Sequence, residues 1–522
     1  MTDANLMAID AGTGSVRAVV FDQEGNQLGC VQREWFHRED PRYPGSMDFD
    51  WNTNWGLVCE CVRGVLSETG IPPAKIAAVS TTCMREGIVL YDAGGDEIWA
   101  CANVDARSGD EVAELKRISS GLERDLYLES GQTFALGALP RLLWVKNKLP
   151  GVYKKIARLG MFNDWLIYRL SGVLAVEPSN GSTTGLFNLA TRSWDKTIAK
   201  RCGLRDDIFP DTVECGTLVA KVSPRGARES GLAEGTPLVA GGGDCQLGTI
   251  GVGVVDKAEA VVFGGSFWQY EFNTASGATS PKCDVRVNCH ALPGFLQYEA
   301  LAFNPGLVMR WYRDAFCQEE KRLAAERGID PYALLDDQAR KVPPGCNGMI
   351  CSFSDVMNYI NWKHAAPSFL NFALDPEKFN KYTFYRAVME NAALVTLGHI
   401  RLVSEATGET PQKITFAGGA AKSRLWPQIV ADVFNLSVEV PRVKEATALG
   451  AAIMAGKGIG LYGDIRETAR RIVKIEKTYT PAAHEVYAES YAAWKAAYKS
   501  QLDLADRGIT KHMWAAPGLG GK

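Results

Sequence analysis

The chain has 522 residues, 46% hydrophobic and 22% charged, and its 57 basic against 60 acidic side chains leave a formal net charge of −3. This balance excludes a disordered or fibrous chain and argues against nucleic-acid or membrane-surface partners, both of which select a strongly basic face. At roughly 100–200 residues per domain the length predicts two to four domains, and no run of about 18 apolar residues offers a membrane-spanning helix. The start, Met1-Thr2-Asp3-Ala4-Asn5, is acidic and leads straight into a strand, unlike a cleavable signal. Thirteen cysteines, odd in number and without CxxC pairs beside histidines, predict reduced, mostly buried thiols and a cytoplasmic location.

In chain order, residues 6–22 read as a strand, a tight glycine turn and a second strand, with a third strand over 27–32. Residues 76–80 are strand-like, and 140–149 and 163–170 are helix-like, an alternation that predicts α/β architecture. The opening pattern returns at Thr236-Pro-Leu-Val-Ala-Gly-Gly-Gly-Asp244, at Ala258-Glu-Ala-Val-Val-Phe-Gly-Gly-Ser266 and at Lys413-Ile-Thr-Phe-Ala-Gly-Gly-Ala420. Strand–glycine units in both halves predict two similar α/β domains, with a boundary near 251–256. From about residue 478 the chain reads as an Ala/Tyr/Lys-rich helix and a loose glycine tail.

Several of these strand ends carry chemistry. Asp10-Ala-Gly12-Thr13-Gly14-Ser15 places an acid before glycines that let backbone N–H groups approach a phosphate, with Arg17 just behind. Asp10 is the candidate for Mg²⁺ or its water shell, although the same residues could form a plain Asp-Gly turn. Gly241-Gly-Gly-Asp244 offers a second strand-end carboxylate, able to accept a hydroxyl proton as that hydroxyl attacks a γ-phosphate. Gly264-Gly265-Ser266 adds a phosphate-binding turn, and Gly418-Gly419-Ala420 a flat surface for an adenosine. A Walker loop is absent: Gly450 to Lys457 has the wrong spacing. The GxGxxG at Gly458-Ile-Gly460-Leu-Tyr-Gly463 follows a helix and reads as a helix-end turn.

Together with Pro140-Arg-Leu-Leu-Trp144, Gly306-Leu-Val-Met-Arg-Trp-Tyr-Arg-Asp314 and Glu445-Ala-Thr-Ala-Leu-Gly-Ala451, these motifs stand in the order found in the FGGY carbohydrate kinases, which the chain resembles over nearly its whole length. The resemblance implies an α/β fold of two actin/hexokinase-like (ribonuclease H-like) domains facing a central nucleotide and substrate cleft. Their expected extents are 7–253 and 254–477, followed by a C-terminal helical extension over 478–522. It implies ATP and Mg²⁺ as cofactors, Asp244 as catalytic base and substrate contact, and Asp10 and Asp244 beside the metal. It assigns Gly12, Thr13, Gly14, Ser15, Arg17, Gly265, Ser266, Gly306, Arg310, Gly418, Gly419 and Ser423 to ATP. Arg85 and Glu86 match the family's acceptor-binding pair, for which a surface ion pair is the alternative, and Asp105 and Trp268 join them as pocket residues.

Within the family, Met84-Arg-Glu-Gly-Ile-Val-Leu-Tyr91 and Pro178-Ser-Asn-Gly-Ser-Thr-Thr-Gly-Leu186 resemble the members that phosphorylate the terminal hydroxyl of linear 4,5-dihydroxypentane-2,3-dione in quorum-signal processing. That likeness implies a small polyol or dione substrate and contact with the histidine phosphocarrier protein of the sugar phosphotransferase system. A pentulose kinase (for xylulose or ribulose) and an actin- or Hsp70-like switch ATPase are the alternatives.

Overall fold

The computed structural model describes residues 4–275 and 279–519. The first three residues of the acidic start and residues 520–522 of the tail lie outside the described residues. The chain divides into two compact units: Met1–Lys257, Asn273–Gln297 and Glu445–Val473 form one, and Ala258–Phe272, Tyr298–Lys444 and Lys474–Lys522 the other.

The first unit is built on a six-stranded sheet in the order Leu218–Lys221, Pro237–Gly243, Ile76–Cys83, Asn5–Ala11, Ser15–Phe21, Gln27–Glu34. The three strands Pro237–Gly243, Ile76–Cys83 and Asn5–Ala11 run parallel, and the last three form antiparallel hairpins. Asn5–Ala11 is apolar in succession because both its faces are covered, as parallel strands require. Met7 and Ile9 join the core formed with Val58 and Val62 of the helix Trp51–Thr69 and Trp165 of the helix Phe162–Ser171. Leu6 instead meets the helix Ala446–Gly458, where a Cβ on Gly456 would stand 3.2 Å from it. That helix also packs on Asp244–Gly251 so closely that a Cβ on Gly450 would come within 1.9 Å of the Leu247 carbonyl.

In the second unit the strands Trp268–Thr274, Ala260–Gly264, Lys413–Ala417, Ser437–Pro441 and Ile475–Tyr479 lie side by side in that order. The grammar matches the first unit: Ala260–Gly264 and Trp268–Thr274 form an antiparallel hairpin around a glycine turn, and Ala260–Gly264 continues parallel into Lys413–Ala417 and Ser437–Pro441. The predicted α/β class with two like units is what the chain adopts.

The units nevertheless differ from a single cut near 251–256. Residues 445–473 belong to the first unit, because Ala448, Leu449, Ala452 and Ile453 are buried in a helix packed on its sheet. Residues 478–522 do not stand apart either: the helix His484–Asp506 buries Tyr487, Trp494 and Tyr498 within the second unit. None of the thirteen cysteines is joined in a disulfide, and all but Cys30 are buried. Among the described residues no helix is long and apolar enough to cross a membrane.

Candidate active site

Three parallel strand ends position the polar groups of the first unit. Asp10 lies across from Thr82, which in turn pairs with Gly242, so Asp10, Arg85 and Asp244 all emerge at or just past the same sheet edge. In α/β sheets this carboxyl edge is where ligands bind. Burial pushes the Asp10 carboxyl up to about 7, against the pull of Arg17, with Asp244 and Glu445 adding like-charge pressure. Arg17 lies 3.5 Å from Asp10 and 2.5 Å from Glu445. The turn between the first two strands leaves Thr13 and Gly14 exposed. It is held from behind by the Trp35 indole, which donates to the Gly12 and Thr13 carbonyls at 3.0 and 3.2 Å, and by Asn103, which donates to the Thr13 hydroxyl at 3.0 Å.

Asp244 opens the helix Asp244–Gly251 and is half-buried. Its Oδ1 accepts the Cys245 amide at 2.8 Å and faces Arg85 Nε at 3.2 Å. The three preceding glycines do not all clear space around this carboxylate. Two of them answer to other neighbours: a Cβ on Gly241 would stand 1.6 Å from the Thr81 carbonyl, and one on Gly242 2.4 Å from the Ser179 hydroxyl. Only Gly243 borders the acid site, with Arg85 Cγ at 3.1 Å from such a Cβ.

Arg85 and Glu86 are buried, which removes the surface ion-pair alternative. Glu86 has φ +65°, a left-handed conformation that costs a non-glycine residue energy and concentrates at functional sites. Its carbonyl accepts from Arg141, its amide donates to Thr183 at 3.2 Å, and its carboxylate pairs with the buried Arg286. Arg286 Nε also donates to Gln132 Oε1 at 2.9 Å. Neither Arg286 nor Gln132 is marked by any local pattern. Arg286 sits in the short buried strand Arg286–Cys289, 200 residues from Glu86, with no glycine or strand-end acid to mark it.

The second unit carries a cavity of about 490 Å³ whose lining includes Gly265, Ser266, Gly306, Arg310, Gly419 and Ser423. Gly306 starts the helix Pro305–Phe316, donates its N–H to the Ser266 carbonyl at 3.1 Å, and approaches so closely that a Cβ would stand 2.3 Å from the Gly265 carbonyl. Gly418 has φ +91° and ψ −169°, a backbone state open essentially to glycine alone. Tyr332, Tyr385 and Trp426 supply aromatic surface, and Arg310, Arg313 and Lys422 positive charge. This mixture suits a nucleotide. Ser423 has a structural task as well: its hydroxyl donates to Asp336 at 2.6 Å and accepts the Trp426 amide at 2.9 Å. Burial raises the Asp336 carboxyl, opposed by bonds from Ser423 and Tyr385.

Two expected pocket residues spend their side chains on packing and pairing. Trp268 is 1% exposed, with its ring packed on Phe416 and Trp426 at 5.1 and 4.8 Å, so it is core of the second unit. Asp105 has a fully buried carboxylate spent on Arg107 and on the Met47 amide at 2.6 Å, and Arg107 continues onto the Trp144 ring at 4.8 Å. That network is structural.

One α/β unit bears strand-end acids beside an arginine and the other a glycine-walled cavity with aromatic and basic lining, an arrangement that suits a kinase. The chain belongs to the FGGY family of carbohydrate kinases, whose N-terminal domain matches residues 5–251 and whose C-terminal domain matches residues 275–459. It is 51% identical over 98% of its length to an autoinducer-2 kinase of Escherichia coli (strain K12), and 50% identical to one of Yersinia enterocolitica, covering 98% of each. In fold it is similar to xylulose kinase from Rhodospirillum rubrum, with a TM-score of 0.83 at 22% identity over 96% of this chain and 99% of that one. Plasmodium falciparum glycerol kinase with ADP gives 0.82 at 20% identity, over 96% and 98%.

Proposed function

We propose that this chain is an autoinducer-2 kinase, moving the γ-phosphoryl group of ATP to the terminal hydroxyl of linear 4,5-dihydroxypentane-2,3-dione. The observation that carries this reading is the 51% identity running through 98% of both chains, which spans the two units rather than one motif. Asp244 accepts the proton of the attacking hydroxyl as the new O–P bond forms and the bond from the γ-phosphorus to the bridging oxygen breaks, releasing ADP. Arg85 orients Asp244 and donates to an acceptor oxygen. Glu86, held by Arg286, accepts from an acceptor hydroxyl through a charge-assisted bond.

On the nucleotide side, Gly12, Thr13, Gly14, Ser15 and Arg17 hold the terminal phosphates. Gly265, Ser266, Gly306, Arg310, Gly418, Gly419 and Ser423 form the nucleoside site. Asp10 and Asp244 offer hard carboxylate oxygens of the kind Mg²⁺ takes, and a cation there would offset the burial and like-charge pressure that hold the Asp10 carboxyl up. When bound, magnesium neutralises charge on the transferring phosphoryl group. A cytoplasmic location and a regulatory contact with the histidine phosphocarrier protein belong to the same proposal. Co-purification of the two pure proteins tests the contact.

The function is tested by ADP release with Mg·ATP and, in turn, the dione, xylulose, ribulose, glycerol or no acceptor. Turnover with the dione alone is expected. Preference for a pentulose would move the chain to sugar catabolism, and acceptor-independent ADP release would make it a switch ATPase.

A further inference from the structure

A second cavity, of about 270 Å³, lies wholly within the second unit and shares no lining residue with the nucleotide cavity. Its walls come from the segment 345–351, the helix Lys381–Thr407 and the helix His484–Asp506. Two of its lining residues are polar, buried and unmet. Asn391 is 1% exposed, and among the described residues neither its amide nitrogen nor its amide oxygen has a hydrogen-bond partner; the indole N–H of Trp494, also 1% exposed, has none either. Buried polar groups are nearly always satisfied, because leaving them unmet forfeits their hydration. Asn391 brings the fold no advantage that would offset this: it sits inside a helix, beside Ala392 and Ala393, where asparagine is a poor helix former.

The remaining lining limits what could enter. Glu390 Oε1 accepts from Arg386 and Tyr487, each at 2.7 Å, and its Oε2 from the Cys346 thiol at 3.4 Å, while Glu489 stands exposed at the rim. Among the described residues no lysine, arginine or histidine lines the cavity, so an anion finds no cationic partner there. Met349, Leu394 and the Trp494 ring favour a flat apolar body. The Asn391 carboxamide presents a donor and an acceptor side by side, and the edge that answers both at once is a ring N–H next to a ring C=O.

We propose that this cavity binds a small, flat, uncharged heterocycle with a lactam edge, the group that free nucleobases and pyridones share, paired edge-on with Asn391. The test uses the full-length protein, with saturation-transfer NMR and calorimetry on 2-pyridone and uracil. N-methyl-2-pyridone, which lacks the donor, and uridine monophosphate, which adds an anion, are the counter-probes. Both lactams should bind, and both counter-probes should bind about tenfold or more weakly. Asn391→Leu should lower lactam affinity by a similar factor while ATP-dependent turnover stays intact, which certifies the fold. Ala493→Trp, filling the exposed rim, should give the same loss. Absence of lactam binding at millimolar concentration would mean that water alone fills the cavity and would overturn the proposal. Equal binding of N-methyl-2-pyridone, or undiminished binding by both variants, would overturn it too.

Discussion

Replacing Arg286 by methionine removes the cation from a pair whose side chains are only 4% and 11% exposed, and leaves the Glu86 carboxylate buried without it. Breaking such a pair from one side costs about 3–5 kcal/mol, most of it the price of the stranded charge. In a unit of this size each kcal/mol moves the melting temperature by about 2–4 °C, so Arg286→Met should lower Tm by roughly 6 to 20 °C. Adding Glu86→Gln removes the stranded charge and should recover most of that loss. Activity should part company with stability: if Glu86 reads the acceptor hydroxyl as proposed, acceptor KM rises in Arg286→Met and is not restored in the double variant. Differential scanning fluorimetry and steady-state kinetics on the four proteins of the cycle decide the matter. A single variant within about 1 kcal/mol of wild type, or a double variant no more stable than the single, would refute the pairing as the source of order in this pocket.

Asp244→Asn should leave ATP binding near wild type by calorimetry while turnover falls about 10²–10⁴-fold, the usual worth of a positioned base. Asp10, held up to about 7 by burial, ionises only as the pH climbs through neutrality. Its charged fraction should therefore rise about tenfold between roughly pH 6 and 8, and the apparent Mg²⁺ affinity in steady-state kinetics should rise with it, a slope that Asp10→Asn flattens. The linkage sign follows: the metal-free fold keeps a proton that the unfolded chain has already lost, so its stability should fall as pH rises from about 4 towards 7 in urea titrations. Gly306→Ala puts a methyl 2.3 Å from the Gly265 carbonyl and should weaken ADP binding by calorimetry without affecting acceptor KM in steady-state kinetics. Asp105→Asn should lower Tm and leave acceptor KM unchanged; a change in KM alone would return Asp105 to the pocket.

Asp10, Asp244 and the glycine turns were legible in the sequence because strand ends advertise themselves: an apolar run stops, glycines follow, and an acid is left at the sheet edge. Arg85 was legible only through family likeness, since nothing local distinguishes it from any arginine after a strand. Arg286 and Gln132 were not legible. Their roles arise from register between segments far apart in the chain, and a single sequence carries no mark of register. Trp268 and Asp105 misled for a related reason. A large aromatic beside a glycine turn and an acid near a pocket motif look the same whether they face ligand or core, and here packing on Phe416 and pairing with Arg107 decide the outcome. The helix Ala446–Gly458 follows the second half in the chain, but its apolar face belongs to strands laid down roughly 200 to 450 residues earlier.

That last placement bears on how the protein is made. The sheet of the first unit is complete by Gly243, yet the helix that covers Asn5–Ala11, Ile76–Cys83 and Pro237–Gly243 emerges from the ribosome only with residues 446–458. At ordinary rates of synthesis this lag is on the order of 10–40 s. Throughout it the nascent chain displays an uncovered strip of Leu6, Ala8 and their neighbours, an open invitation to chaperones or to other nascent copies. A fragment ending at residue 257 would keep that strip permanently and should aggregate. Sheltering the growing chain, by slower synthesis or added chaperone, should therefore raise the yield of folded protein more than surface substitutions on the finished enzyme.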